Sequence, residues 1–403
     1  MTATADTQPE DLRNRMVDHI DAAGHLRSAS VERALRTVPR HLFLPDASIE
    51  DAYANKSITT KPGGPGGRPA SCASVPTVVA MMLGQLDARE GGRVLEIGTG
   101  TSYNAALLAE LVGETGQVTT IDIHPDVTEQ AQRALAATGY GRVRVLTGDG
   151  ALGAPNQAPF DRIIVTVGPW DLPPAWLDQL ALGGRLVVPL HWRGQARSVA
   201  FVHEDGVLRA IDSQLCGFIP MIGDGQDGER TGQIADDVAL YFDRDQPIDL
   251  DVLQGVLDQP KVTVWSGASV VPNESTDLIW PRLTGTEPDT CRFAADDAAV
   301  EAGVCNPAFT YRSPALVEGG SLAYLTLRAP DPEATERRWE LGAIGHGPAG
   351  AHLAERLCEQ IRIWDRDRTA QPTITAYPAG TPDQDLADGV VIDKQFIRLV
   401  VSS

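Results

Sequence analysis

Basic side chains are in short supply in this sequence: 34 Lys and Arg stand against 54 Asp and Glu, a formal charge of −20. A nucleic-acid ligand needs clustered cations to neutralise its phosphates, so that partner class is disfavoured. Two uses of the acidity stay open, plain solubility and attraction of a basic peptide. Cysteine is sparse too, and the five present (Cys72, Cys216, Cys291, Cys305, Cys358) form an odd set with no Cys-x-x-Cys pair. That argues against a disulfide framework and a zinc site, and it suits a reducing cytoplasm. Long apolar runs are missing, none approaching the ~20 residues that span a bilayer. Met1 to Glu10 is polar and acidic, without the basic and apolar regions of an export signal. A soluble cytoplasmic protein with no membrane partner is therefore expected.

At 403 residues, two domains are the default, either large enough to bury a core. Residues 10–38 carry Leu12, Met16 and Ile20, then Val31, Ala34 and Leu35, at helical spacing, and Pro39 breaks the pattern. Residues 61–67 read Lys-Pro-Gly-Gly-Pro-Gly-Gly, a run that holds neither helix nor strand and serves as a surface loop or a mobile flap. A helix with Pro76 in its first turn is expected over residues 74–86. Thereafter β-rich segments at 93–97, 117–123, 143–146, 162–167 and 185–189 alternate with helical ones at 103–112 and 127–137. Strands separated by helices imply right-handed crossovers and a parallel sheet covered on both faces. The fold class is thus α/β, a doubly wound, Rossmann-like domain over residues 1–228. A smaller α+β domain follows over residues 229–403, with apolar segments at 321–327, 349–364 and 396–401.

The strongest chemical signal is Val94-Leu95-Glu96-Ile97-Gly98-Thr99-Gly100-Thr101-Ser102, a strand entering a glycine turn that opens a helix. Such a turn lets a ligand approach the backbone at the carboxyl edge of a parallel sheet. A dinucleotide fingerprint would place a further glycine where Tyr103 stands, so a pyrophosphate is disfavoured. Glu96 would repel phosphates but can hold an ammonium. Asp122 ends the next strand, where a carboxylate accepts both ribose hydroxyls, with Ile123 beside it. Gly148-Asp149-Gly150 ends the third, where Asp149 can accept from an adenine amino group while the glycines admit the ring. A ligand with an amino-acid group, a ribose, an adenine and no phosphate is S-adenosylmethionine. Each acid also has a structural role open to it, as turn, cap or loop residue.

The sequence resembles the protein-L-isoaspartate O-methyltransferases over residues 31–226. The resemblance rests on Val38-Pro39-Arg40-His41-Leu42-Phe43-Leu44-Pro45, Ala73-Ser74-Val75-Pro76, the glycine turn, Thr147-Gly148-Asp149-Gly150, Pro159-Phe160-Asp161-Arg162-Ile163-Ile164 and Leu182-Gly183-Gly184-Arg185-Leu186-Val187-Val188-Pro189. It implies a class I S-adenosylmethionine-dependent fold, with Ser74 as the catalytic-site serine beside the substrate carboxyl and Val75 and Pro76 completing the substrate element. Ser71, Cys72 and Ala73 would support the cofactor from just before it. Ser74 can equally be a helix N-cap. Ser102 departs from the family's small third glycine position, and some 175 residues follow the matching region.

That extension resembles the one in long actinobacterial members that act beside ribosomally made peptides such as lanthipeptides and graspetides. It implies a cyclised precursor peptide as partner, an aspartate as methyl acceptor, and a succinimide or isoaspartate as product. General repair of isoaspartate in damaged proteins is the alternative, and a non-catalytic peptide-binding protein is a third. An extension that is only a cap or dimerisation module stays open, since Trp265, Trp280, Trp339 and Trp364 can be core or contact residues. No metal is expected, His346 and His352 being the nearest to a ligand pair.

Overall fold

The structure is a computed structural model that describes residues 8–63, 69–223, 225–330 and 336–403. Residues 64–68, the heart of the glycine-rich run read above as loop or flap, lie outside the described residues. The chain divides into two compact units, Met1–Leu190 with Arg197–Gln226, and His191–Ala196 with Asp227–Ser403.

Unit 1 opens with α1 (Pro9–Ala22), α2 (Ala29–Thr37) and α3 (Ile49–Tyr53), then β1 (Ile58–Lys61), β2 (Ser71–Ala73) and α4 (Pro76–Leu86). The alternating part follows as β3 (Arg93–Ile97), α5 (Tyr103–Val112), β4 (Gln117–Asp122), α6 (Pro125–Ala137), β5 (Arg144–Thr147), β6 (Phe160–Val165), α7 (Pro174–Gln179), β7 (Leu180–Trp192), β8 (Gln195–Glu204) and β9 (Val207–Leu215). Its strands lie in the order β9-β8-β7-β6-β3-β4-β5. Strands β5, β4, β3, β6 and β7 are parallel, and β8 and β9 pair antiparallel. Four of the five β3 residues are buried because helices cover both faces of the sheet. On one face Val17, Ile20, Leu35, Leu83, Leu86, Leu107 and Leu108 form a core with Val94 and Val118. This is the doubly wound, Rossmann-like α/β fold that the sequence leads us to expect.

The turn after β3 owes its shape to backbone that only certain residues adopt. Gly98 has φ 100°, and a Cβ there would lie 2.7 Å from Thr166 Oγ1. Ser102 itself sits at φ 64°, fully buried, and serves as N-cap of α5 with its carbonyl accepting from Ala106 N at 3.0 Å. A left-handed serine costs about 1 kcal/mol over glycine, so the departure from glycine is carried as mild strain.

Unit 2 comprises β10 (Glu229–Ala235), β11 (Val238–Asp243), β12 (Lys261–Val270), α8 (Ile279–Thr284), β13 (Thr290–Ala295), α9 (Asp297–Glu301), β14 (Ser313–Glu318), β15 (Ser321–Arg328), β16 (Trp339–His346), α10 (Gly350–Arg366), β17 (Thr373–Pro378), β18 (Val390–Asp393) and β19 (Ile397–Ser402). Seven strands form an antiparallel sheet in the order β10-β11-β13-β14-β15-β16-β12. Leu353, Leu357, Ile361 and Trp364 of α10 pack on Leu325, Leu341 and Ala343 of that sheet. Strand β19 lies between β17 and β18.

Where the sequence looked irregular, between residues 228 and 320, five strands are present. Their patterning is weak because they are exposed in part: Lys261, Val262 and Thr263 of β12 all face solvent, and β10 has one buried residue. Trp280 and Trp364 are core, whereas Trp265 and Trp339 are half-buried and Arg328 stacks on Trp265 at 4.5 Å. Buried within unit 2, Asp243 accepts from Arg193 N and from Arg193 Nη1 at 3.2 Å, and Trp192 Nε1 donates to Thr284 Oγ1 at 3.1 Å.

Candidate active site

After β5 the chain returns to the far side of β3, so β3 and β6 flank the switch point of the sheet, where ligands of this architecture bind beyond the strand ends. A cavity of about 400 Å³ lies there. It is lined by the turn after β3, by Thr166 and Val167 after β6, by Asp122, Ile123 and His124 after β4, and by Asp149 and Gly150 after β5.

Among the residues singled out in the sequence, Ser71, Cys72, Ala73, Ser74, Glu96, Gly98, Thr99, Gly100, Thr101, Asp122, Ile123, Asp149 and Gly150 all line this one cavity. Ser102, Gly148, Val75 and Pro76 do not. Ser102 is the buried cap described above, and Val75 and Pro76 begin α4, with Val75 as N-cap and Pro76 at N1. The cap position thus belongs to Val75, one residue beyond the serine.

Glu96 is fully buried at the cavity wall. Thr120 Oγ1 donates to its Oε2 at 2.6 Å and Asn104 Nδ2 to its Oε1 at 2.7 Å. Burial outweighs those two bonds and pushes the carboxyl up to about 7, with the Asp122 charge adding to the rise. Asp122 is held by the backbone at both oxygens, Gly100 N donating at 3.2 Å and His124 N at 3.1 Å. Asp149 Oδ1 accepts from Ala151 N at 2.9 Å and caps the short helical turn at Gly150–Leu152. A Cβ on Gly100 would project between Cys72 O at 3.9 Å and Ser71 Oγ at 4.0 Å. Those are ordinary contacts, and what favours glycine here is the backbone, at φ 49°.

Strands β1 and β2 form a hairpin next to this turn, and Lys61 Nζ donates to both oxygens of Asp126 in α6 at 3.0 and 2.7 Å. Three groups of lining residues had no sequence signal strong enough to assign them. Arg40 comes from the family-like stretch before α3. Tyr103 and Asn104 open α5. Phe218, Ile219, Pro220, Met221 and Ile222 follow β9, where Ile219 O accepts from Gly168 N at 2.7 Å and Met221 N donates to Gly168 O at 2.9 Å. A short apolar run after an antiparallel hairpin is silent in sequence, because its role is set by the strand it meets.

The model of the protein-L-isoaspartate(D-aspartate) O-methyltransferase family matches residues 11–226. The chain belongs to this family. The protein-L-isoaspartate O-methyltransferase of Methanopyrus kandleri is 40% identical over 214 residues, which cover 53% of this chain and 92% of that protein. Protein-L-isoaspartate O-methyltransferase 1 of Archaeoglobus fulgidus is 41% identical over 197 residues, 49% of this chain and 87% of its own. A solved structure of a protein-L-isoaspartate O-methyltransferase aligns with TM-score 0.50 and 20% identity over 90% of this chain and 96% of that one, a likeness of fold. The enzyme class is therefore that of the protein-L-isoaspartate O-methyltransferases, with S-adenosylmethionine as cofactor. Among the described residues, no helix is long and apolar enough to cross a membrane.

Proposed function

We propose that this enzyme methylates the free α-carboxylate of L-isoaspartyl residues in peptides and proteins, as a repair activity. The observation that carries the reading is the junction of two elements in one cavity, the acid-lined turn after β3 and Ser74 at the start of α4. Relatives of about 40% identity are matched along nearly their whole length by this half of the chain, which favours general repair over a dedicated precursor peptide.

The donor set suits the cofactor. In this reading Glu96 takes the ammonium, Asp122 the ribose hydroxyls and Asp149 the adenine amino group, all three lining the one cavity. Bound S-adenosylmethionine supplies a methyl group on a cationic sulfur, which a carboxylate oxygen can take without any proton moving. A carboxylate with pKa near ~4 is already ionised at neutral pH, so the site needs no general base. What remains for the protein is to hold the acceptor and keep water out, which supplies most of the rate. Ser74 orients the acceptor carboxyl, and the apolar run from Phe218 to Ile222 shields the cavity wall. In the released ester the following backbone nitrogen displaces methanol to form a succinimide, which water opens to aspartate or isoaspartate.

A second reading has its own observation: unit 2 lies almost wholly outside the matched region and is available to recognise a structured, cyclised precursor peptide. Transfer of a labelled methyl to two short peptides, one with isoaspartate-glycine and one with aspartate-glycine, separates the two. Labelling of the isoaspartyl peptide alone supports repair. Labelling of neither, with cofactor binding intact, defeats it in favour of a dedicated substrate.

A further inference from the structure

The lining of the cavity is electrically divided. Glu96, Asp122 and Asp149 gather at the carboxyl ends of the parallel strands, and Arg40 is the one Lys or Arg among the described lining residues. Arg40 is 1% exposed. Two of its five N–H groups are taken by carbonyls, Nε donating to Ala52 O at 2.8 Å and Nη2 to Ser74 O at 2.8 Å. No carboxylate pairs with it among the described residues; the titratable groups around it are Tyr103, Tyr53 and Cys72. A buried cation without an anion is costly, and nothing in the hydrogen bonding of two carbonyls demands that the donor be charged.

A second unfulfilled group lies against it. The Arg40 guanidinium stands 5.0 Å from the centre of the Tyr103 ring. Tyr103 also lines the cavity, it is 2% exposed, and its hydroxyl is buried with no hydrogen-bond partner. Such a hydroxyl normally finds a partner when buried. One ligand chemistry answers both wants. A carboxylate neutralises a guanidinium through charge-assisted bonds and accepts from a phenol.

We propose that Arg40 and Tyr103 form a carboxylate-binding subsite of this cavity, seated beside Ser74. The assignment rests on the isoaspartyl methyltransferase reading above. Two carboxylates enter such a site, that of the acceptor and that of the cofactor's methionine moiety. The direct bond from Arg40 to Ser74 O favours the acceptor: one oxygen is held and the other is left free to take the methyl. In that arrangement Arg40 sets the register of the acceptor, and Glu96 takes the ammonium of the cofactor.

The test uses the full chain as wild type, Tyr103→Phe and Arg40→Gln. Calorimetry measures affinity for S-adenosylhomocysteine, for decarboxylated S-adenosylmethionine, and for an isoaspartyl peptide on the S-adenosylhomocysteine-loaded enzyme. KM, kcat and thermal midpoint are read in parallel. Tyr103→Phe deletes only a hydroxyl that has no partner in the protein, so a purely structural tyrosine predicts an equal or higher midpoint with unchanged binding. The acceptor arm predicts peptide affinity and KM weakened about tenfold in Tyr103→Phe, and further in Arg40→Gln, with S-adenosylhomocysteine affinity kept. The cofactor arm predicts the loss in S-adenosylhomocysteine affinity, while the decarboxylated compound binds as before. Wild-type affinity for both ligands in Tyr103→Phe overturns the subsite, whether or not Arg40→Gln folds. Absence of methylation by the wild type would instead sink the functional reading, and the binding arms would still decide the subsite.

Discussion

Glu96→Gln separates what burial does to this carboxyl from what the carboxyl does for a ligand. In the folded enzyme Glu96 is pushed from 4.5 to about 7, chiefly by loss of solvent and against the bonds from Thr120 and Asn104. Between those two values the native protein holds a proton that the unfolded chain has lost, so stability falls as pH rises through the window. With these two values, the linkage integral from about pH 5.5 to about pH 8 amounts to a loss of ~2 kcal/mol. Glutamine has no such proton, and that component of the slope should vanish. Asp243, pushed up to about 6 mainly by burial, has the same sign but is common to both proteins and drops out of their difference. Denaturant unfolding of wild type and variant at the two pH values measures it. A cofactor ammonium at Glu96 would also drive the proton off. The wild type should therefore release close to one proton on binding S-adenosylmethionine below about pH 7 and bind more tightly as pH rises, and the variant should do neither. Equal pH slopes of stability in the two proteins would refute the reasoning at its root.

Asp122→Ala should weaken S-adenosylhomocysteine binding at least several-fold by calorimetry, since it removes a ribose acceptor and releases Gly100 N and His124 N; unchanged affinity would place the ribose elsewhere. Ser74→Ala should lower kcat for an isoaspartyl peptide about tenfold while cofactor affinity holds, and equal activity would leave Ser74 with no part in catalysis. Gly98→Ala sets a Cβ 2.7 Å from Thr166 Oγ1 at φ 100° and should cost ~2 kcal/mol or more in denaturant unfolding; a wild-type midpoint would mean that the turn reshapes freely. Lys61→Ala should change stability by less than about 1 kcal/mol, because the Lys61–Asp126 pair is largely exposed, and a larger loss would make the hairpin a structural anchor.

The doubly wound sheet was legible because β3, β4 and β6 are largely buried and so carry short stretches rich in Val, Ile, Leu and Thr, separated by helical segments. Glu96 and Asp122 were legible for the same reason: an acid at the end of such a strand violates the pattern and asks for an explanation. Unit 2 was harder to read. Antiparallel strands such as β10 and β12 are exposed along much of their length, so side-chain patterning there reports solvent as much as pairing. Arg40 stood in a motif that marked the family but offered no role, since its burial and its lack of a carboxylate come only from packing. The run from Phe218 to Ile222 meets Gly168 across some 50 residues of sequence, a distance over which local composition carries no information.

Strands β7 and β8 are continuous, yet the six residues at their junction, His191–Ala196, belong to the second unit. The buried Arg193–Asp243 pair is formed wholly inside that unit, though its two halves are supplied from opposite sides of the 197–226 segment. The later half of the chain is therefore no detachable tail. A protein ending at Gln226 would keep Trp192 and Arg193 and lose Thr284, Asp243 and Asp245, so a tryptophan and a cation that are buried here would be bared to water without their partners. Shortening this enzyme to the length of its relatives would call for resurfacing that hairpin tip, and growing it from such an ancestor would have required the tip and its socket to change together.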